Sequence, residues 1–145
     1  GDWDGDGDDT IGIWRNDSSF RLRNSNTSGF ADLIAFFGAS TDTPLVGDWN
    51  GDGTDTIGIW RNDSSFRLRN SNTNGTADII VFFGASTDIP LVGDWDGDGT
   101  DTIGIYRPSD QSFRLRNSNA PGLADIIVYY GASGDVPCVG NWDGN

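Results

Sequence analysis

The chain has 145 residues, enough for one domain with a real core, and carries a net charge of −13 with a pI of about 4.1. That balance excludes nucleic acid, whose phosphates would be repelled, and anionic membrane surfaces, and no apolar run approaches the roughly 20 residues of a membrane span. Every acidic residue is Asp and every basic one Arg; Met and His are absent, while Gly (21), Asn, Ser, Thr, Ile and aromatics abound, so the composition predicts strands and tight turns.

The chain is a repeat. Residues 1–46 and 47–92 differ at seven positions, and residues 93–139 form a third, more divergent copy. That copy is one residue longer, because residues 107–113 replace the tighter 61–66 where a hairpin turn tolerates the change. A fourth copy begins over 140–145.

Each unit predicts four short strands, seen best in the third copy. The first, residues 90–95, leads into an acidic loop. The second, 102–107, puts Ile103 and Ile105 on one face by period-two alternation. The third, 113–118, alternates Phe113 and Leu115 inward with Arg114 and Arg116 outward, so the arginine pairs 21/23, 67/69 and 114/116 read as a solvated face. The fourth, 124–131, is almost continuously apolar, which predicts burial on both faces. Four antiparallel strands per 46 or 47 residues is the pattern of a β-propeller blade; a β-trefoil, also three units of four strands, is the alternative.

The acidic loop is the recurring chemical feature, at 1–10, 47–56 and 93–102. Asp2, Asp4 and Asp6 alternate with spacers, as do Asp48, Asn50 and Asp52, and Asp94, Asp96 and Asp98. Alternate side chains of a curled loop turn inward together, and glycines allow the positive φ that the curl needs. Three carboxylates a few ångströms apart repel by about 1 kcal/mol per pair even in water. A Ca²⁺ ion, which takes six to eight oxygens, reverses that sign. Asp-Gly sequences are also ordinary hairpin turns needing no metal, but three aligned acids in three copies favour the ion. An EF-hand does not fit: its twelfth-position Glu falls on Ile13, Ile59 or Ile105, and no helix flanks the loop.

These motifs, "PLVGDWDGDGTDTIGIYRP", "SFRLRNSN" and "ADIIVYYGASGDVPCVGNWDG", resemble the FG-GAP/VCBS-type repeats of bacterial surface and secreted proteins over essentially the whole chain. The resemblance implies a β-propeller whose acidic loop joins the first two strands of a blade and holds Ca²⁺. Its pattern, Asp-x-Asp-x-Asp-Gly-x-x-Asp, places side-chain ligands at the first, third, fifth and ninth positions and a carbonyl at the seventh. Carried over, it implies Asp2, Asp4, Asp6 and the carbonyl of Asp8; Asp48, Asn50, Asp52 and Thr54; and Asp94, Asp96, Asp98 and Thr100. The ninth position departs, being Thr10, Thr56 or Thr102, with Asp9, Asp55 and Asp101 one place earlier. Either those Asp side chains swing in, or a Thr hydroxyl or a water fills the gap.

Other residues read as follows. Trp3, Trp49, Trp95 and Trp142 are packing residues. Trp14, Trp60 and Tyr106 end a strand and are candidates for stacking on a sugar. Cys138 stands where Leu45 and Leu91 stand, as a small buried apolar residue. With no His, no Lys and no Ser or Cys beside a base, the chain reads as a non-enzyme. Lacking an initiator Met and a signal-peptide pattern, it reads as a mature or excised piece of something longer, working outside the cell where calcium is millimolar. Three functions stand: a calcium-stabilised structural or adhesive module of the cell surface, a glycan-binding lectin, or the non-catalytic propeller of a larger secreted enzyme. Residues 136–142 are a spare copy of the first strand, predicting pairing with other copies of the chain or further repeats of a parent; glycans and surface proteins are further partners.

Overall fold

The recurring run Thr-Ile-Gly-Ile-Trp/Tyr forms an inner strand in two of the three sheets and an edge strand in the first. A computed structural model describes residues 1–142, so Asp143, Gly144 and Asn145, the end of the expected fourth copy, lie outside the described residues. It contains eleven strands and, among these residues, no helix. The first repeat gives β1 (Gly12–Trp14), β2 (Ser19–Leu22) and β3 (Leu33–Phe36). β4 (Thr43–Gly47), β5 (Thr56–Trp60), β6 (Ser65–Leu68) and β7 (Ile79–Phe82) follow. β8 (Ile89–Gly93), β9 (Thr102–Arg107), β10 (Ser112–Leu115) and β11 (Ile126–Tyr129) complete the set. They form three separate antiparallel meanders, β1-β2-β3, β4-β5-β6-β7 and β8-β9-β10-β11.

The core lies between sheets and not within any one of them. Ile57 and Ile59 of β5 are wholly buried against Trp3, Phe20, Leu22, Ala35 and Phe37 of the preceding sheet. Ile103 and Ile105 of β9 pack in the same way on Trp49, Trp60, Phe66, Leu68 and Val81. Each fully buried isoleucine stabilises its junction by roughly 1.5–3 kcal/mol. The hairpin between the second and third strands closes with Ser18, Ser64 and Gln111 at positive φ. In the third sheet the longer turn keeps the same closing role, so the extra residue is absorbed without a change of register.

Five expectations are corrected. The fourth strand is not buried on both faces: β3, β7 and β11 are outer edges, and Ile34, Phe36, Ile80, Phe82, Ile127 and Tyr129 are exposed. Its apolar run therefore marks an edge with one covered face. Arg69 and Arg116 are buried, because each folds into its own following loop; Arg69 Nη2 donates to Ser71 Oγ (2.9 Å) and Thr73 Oγ1 (3.0 Å). Residues 136–142 form no strand, and Cys138, with no following strand to cover it among the described residues, is exposed where Leu45 and Leu91 are buried. Trp142 is likewise exposed, whereas Trp3 and Trp49 are core residues as expected.

Candidate functional site

The second and third acidic loops join β4 to β5 and β8 to β9, the first leads into β1, and two devices hold each in place. The first is the tryptophan at its second turn position. A methyl group at Gly58 would fall 3.0 Å from Trp49 Cζ2 and 3.1 Å from Leu68, so the glycine in the centre of β5 is the space into which Trp49 lies. Gly12 under Trp3 and Gly104 under Trp95 repeat the arrangement. The second device is the first aspartate, which gathers the amides of the curl. Asp48 Oδ1 accepts from Gly51 N (2.8 Å) and Asp52 N (3.1 Å), and Oδ2 accepts from Gly53 N (2.7 Å). Asp2 and Asp94 do the same. Gly51 and Gly53 adopt φ of 70° and 85°, a region that a side chain would strain.

The curl brings carboxylates together. Asp2, Asp4 and Asp6 present oxygens within 4.8 Å of one another, and Asp94, Asp96 and Asp98 do likewise. In the middle loop Asn50 Nδ2 instead donates to Asp52 Oδ2 at 2.9 Å. Asp6, Asp52 and Asp98 each also accept the amide two residues on, from Asp8, Thr54 and Thr100. Hydrogen bonds from amides favour the ionised form. The Gly7 amide, with those of Gly5, Asp6 and Asp4, holds the Asp2 carboxyl below its ordinary range. At Asp94 burial opposes ionisation, but the amides of Gly99, Gly97, Asp98 and Asp96 together outweigh it. Asn50 lowers Asp52, with Thr54 assisting. A hard, oxygen-binding divalent cation fits this donor set, as three anionic side chains already converge in two loops.

Two of the aspartates beside the ninth position reach a neighbouring loop. Asp55 and Asp101 turn away from their own loops to the loop of the preceding repeat. Asp2 N donates to Asp55 Oδ2 (2.9 Å) while Asp55 N donates to the Asp2 carbonyl (2.7 Å). Asp48 and Asp101 make the same reciprocal pair, at 3.0 and 2.8 Å. Burial pushes both carboxyls up, against the hydrogen bonds from Asp2 and Asp48. Thr56 is committed beneath the loop, its hydroxyl donating to the Arg69 carbonyl at 2.7 Å. Asp9 is exposed, 3.4 Å from the amino group of Gly1. These aspartates are thus ties between loops, a role that only the juxtaposition of residues 53 apart could reveal.

The candidate sugar platforms are engaged elsewhere. Trp60 and Tyr106 are buried; Tyr106 tilts against Phe113 with ring centroids 4.9 Å apart. Trp14 is half-buried and tilted on Phe20 at 6.4 Å. At the acidic-loop end of the strands sequence reasoning missed another site-forming group: Asn72 Nδ2 donates to the Asp55 carbonyl (2.8 Å), and Asn26 and Asn119 hold Asp9 and Asp101 in the same way. The invariant Asn in each repeat was the available signal. Among the described residues no helix is long and apolar enough to cross a membrane. Comparison of the chain with protein-family models, curated proteins and solved structures finds no match.

Proposed function

We propose that the chain is a calcium-stabilised structural module whose consecutive sheets are blades of a β-propeller of the FG-GAP/VCBS type, working outside the cell in a surface or secreted protein. The observation that carries this reading is the convergence of three carboxylates within 4.8 Å in each of two loops. The first aspartate and the tryptophan pre-organise each loop, so little ordering remains for an ion to bring about. Sheets that each form from consecutive strands of one stretch of chain and bury residues against the next support stacked blades over a trefoil, whose hairpins share one barrel. Weak Asp-rich sites fill at the millimolar calcium found outside cells. The repetition of the carboxylates suits a structural ion and not a single acid–base pair, which favours a non-enzyme.

Calcium titration of EDTA-stripped protein by calorimetry tests the reading. Loops 2–9 and 94–101 bind first, and the loop with Asn50 more weakly. At a hundredfold excess over Kd each site contributes about 2.7 kcal/mol, so two raise Tm by roughly 10–20 °C, and Mg²⁺ substitutes poorly. A melt identical in EDTA and in calcium overturns the proposal.

A further inference from the structure

Both junctions between sheets use the same parts, and those parts recur unmatched at the two ends of the stack. In the second sheet, β5 is flanked by β4 and β6; in the third, β9 is flanked by β8 and β10. β1 pairs only with β2, so its other edge meets no strand among the described residues. Its Ile11 and Ile13, counterparts of the wholly buried Ile57 and Ile59, are 55% and 54% exposed. Arg15 stands where Arg61 and Arg107 stand. Those two grip Asp42 and Asp88 with paired hydrogen bonds of 2.7–3.0 Å, whereas Arg15 is exposed and forms no ion pair with a described residue.

The far end of the chain carries the complement. Val136-Pro137-Cys138-Val139 matches the Thr43-Pro44-Leu45-Val46 of β4 and the Ile89-Pro90-Leu91-Val92 of β8, yet is unpaired and largely exposed. Just before it, Asp135 stands where Asp42 and Asp88 stand, with its carboxylate holding the Ala132 amide (2.8 Å) as theirs hold Ala39 and Ala85. Asp135 is exposed and has no arginine in ion-pair range among the described residues.

We propose that residues 136–139 of one copy add as a fourth strand to the β1 edge of a second copy. The register follows from β4 on β5, where Thr43, Pro44, Leu45 and Val46 face Trp60, Ile59, Gly58 and Ile57. It sets Val136 opposite Trp14, Pro137 opposite Ile13, Cys138 opposite Gly12 and Val139 opposite Ile11. The next rung is closed, because Thr10 and Gly1 already bond each other's backbones at 2.9 and 3.1 Å. Strand addition brings Arg15 of the receiving copy to Asp135 of the donor and covers Ile11 and Ile13 with the donor's third sheet. An exposed edge and an exposed apolar face are what such addition consumes. The contact is head-to-tail, so it builds a closed ring or an open array. It uses none of the converged carboxylates and goes beyond the calcium reading.

Light scattering in calcium and in EDTA tests it, with circular dichroism confirming that each variant is folded. The chain runs at twice 15.6 kDa or more. Arg15→Asp and Asp135→Arg each shift it at least tenfold towards monomer, and an equimolar mixture of the two restores assembly because every junction regains one Arg and one Asp. In a Cys138→Ser background, Ile11→Cys with Val139→Cys gives disulfide-linked dimers on oxidation, and Ile34→Cys with Val139→Cys does not. A folded 15.6-kDa monomer at all concentrations, equal cross-linking of both pairs, or a link within one chain overturns the proposal.

Discussion

The two ends of each sheet treat aspartate in opposite ways. At the turn end, Asp17, Asp42, Asp63, Asp88 and Asp110 each meet an arginine, at 2.7–3.6 Å. Within the acidic loops at the other end stand twelve of the 22 acidic residues, and among the described residues none of the twelve pairs with an arginine, whereas Asp32 and Asp125 beside those loops meet Arg23 and Arg116 at 3.8 and 3.2 Å. Amides hold Asp2, Asp6, Asp48, Asp52, Asp94 and Asp98, and Asp9 meets the amino group of Gly1. At the two junctions the turn end supplies its own counter-charge, leaving Arg15 and Asp135 without one among the described residues; the loop end is shaped by the chain but left with negative charge in excess. Residues of one type thus serve as joint at one end and as a cluster of converged carboxylates at the other, and what surrounds the carboxylate decides which.

Removing an arginine at the turn end has the largest expected effect. The Asp42 side chain is 1% exposed, and in Arg61→Ala it keeps only the Ala39 amide. A buried charge that loses its partner costs 3–5 kcal/mol; with Arg61 itself 34% exposed, about 2–3 kcal/mol is expected by urea unfolding. Arg107→Ala on Asp88 should match it. If either leaves stability unchanged, the turn end is not the joint described here.

At the loop end, Asp48→Ala removes the acceptor of three amides but buries no orphan charge, since the loop is solvated. A loss of about 1–2 kcal/mol is expected, and calcium should recover little of it because the first ligand goes too. A loss as large as that of Arg61→Ala would erase the contrast.

Acid sharpens the comparison by sign. Burial raises the Asp42 carboxyl, but Arg61 and the Ala39 amide outweigh it and hold it below 3.8. The stability it contributes is present above that value and lost as pH falls through the lower, folded one. The wild-type melt should therefore fall below about pH 4, and Arg61→Ala should flatten that fall.

How much of this was legible depends on how far apart the partners stand in sequence. Alternation in Thr-Ile-Gly-Ile and the Asp-x-Asp-x-Asp curl are local, so meander and acidic loop were readable before any coordinates. The apolar run of β7 misled because composition cannot distinguish a strand between two sheets from an edge with one covered face. Arg69 was placed in solvent by its charge, although the Ser71 and Thr73 that receive it lie within four residues. Trp60 looked like a rim aromatic because nothing near it in sequence announces Ile103 and Ile105, which pack in the same cluster. Whether Asp55 or a Thr hydroxyl or water completes its own loop stays open in the sequence for the same reason, since the Asp2 amide it meets stands 53 residues away.

Asp55→Asn carries the smallest effect and the most diagnostic sign. Burial raises this carboxyl in the folded chain, so ionising it is harder there than in the unfolded state. The stability linked to it is fully present below about pH 3.8 and lost as pH rises through the higher, folded value. Asparagine keeps a carbonyl oxygen for the Asp2 amide, bonded at 2.9 Å in the wild type, and removes the charge that Asp9 and Asp48 repel. At pH 7 the variant should thus equal or exceed the wild type, by under about 1 kcal/mol for so partly solvated a site. The gain should vanish at pH 3.5, where the wild-type group is protonated as well. Calcium-dependent stabilisation should persist in Asp55→Asn, since the side chain ties two loops and is no ligand of its own. Loss of the calcium response in this variant, with the fold intact, would return Asp55 to the ligand set and remove the distinction between tie and site.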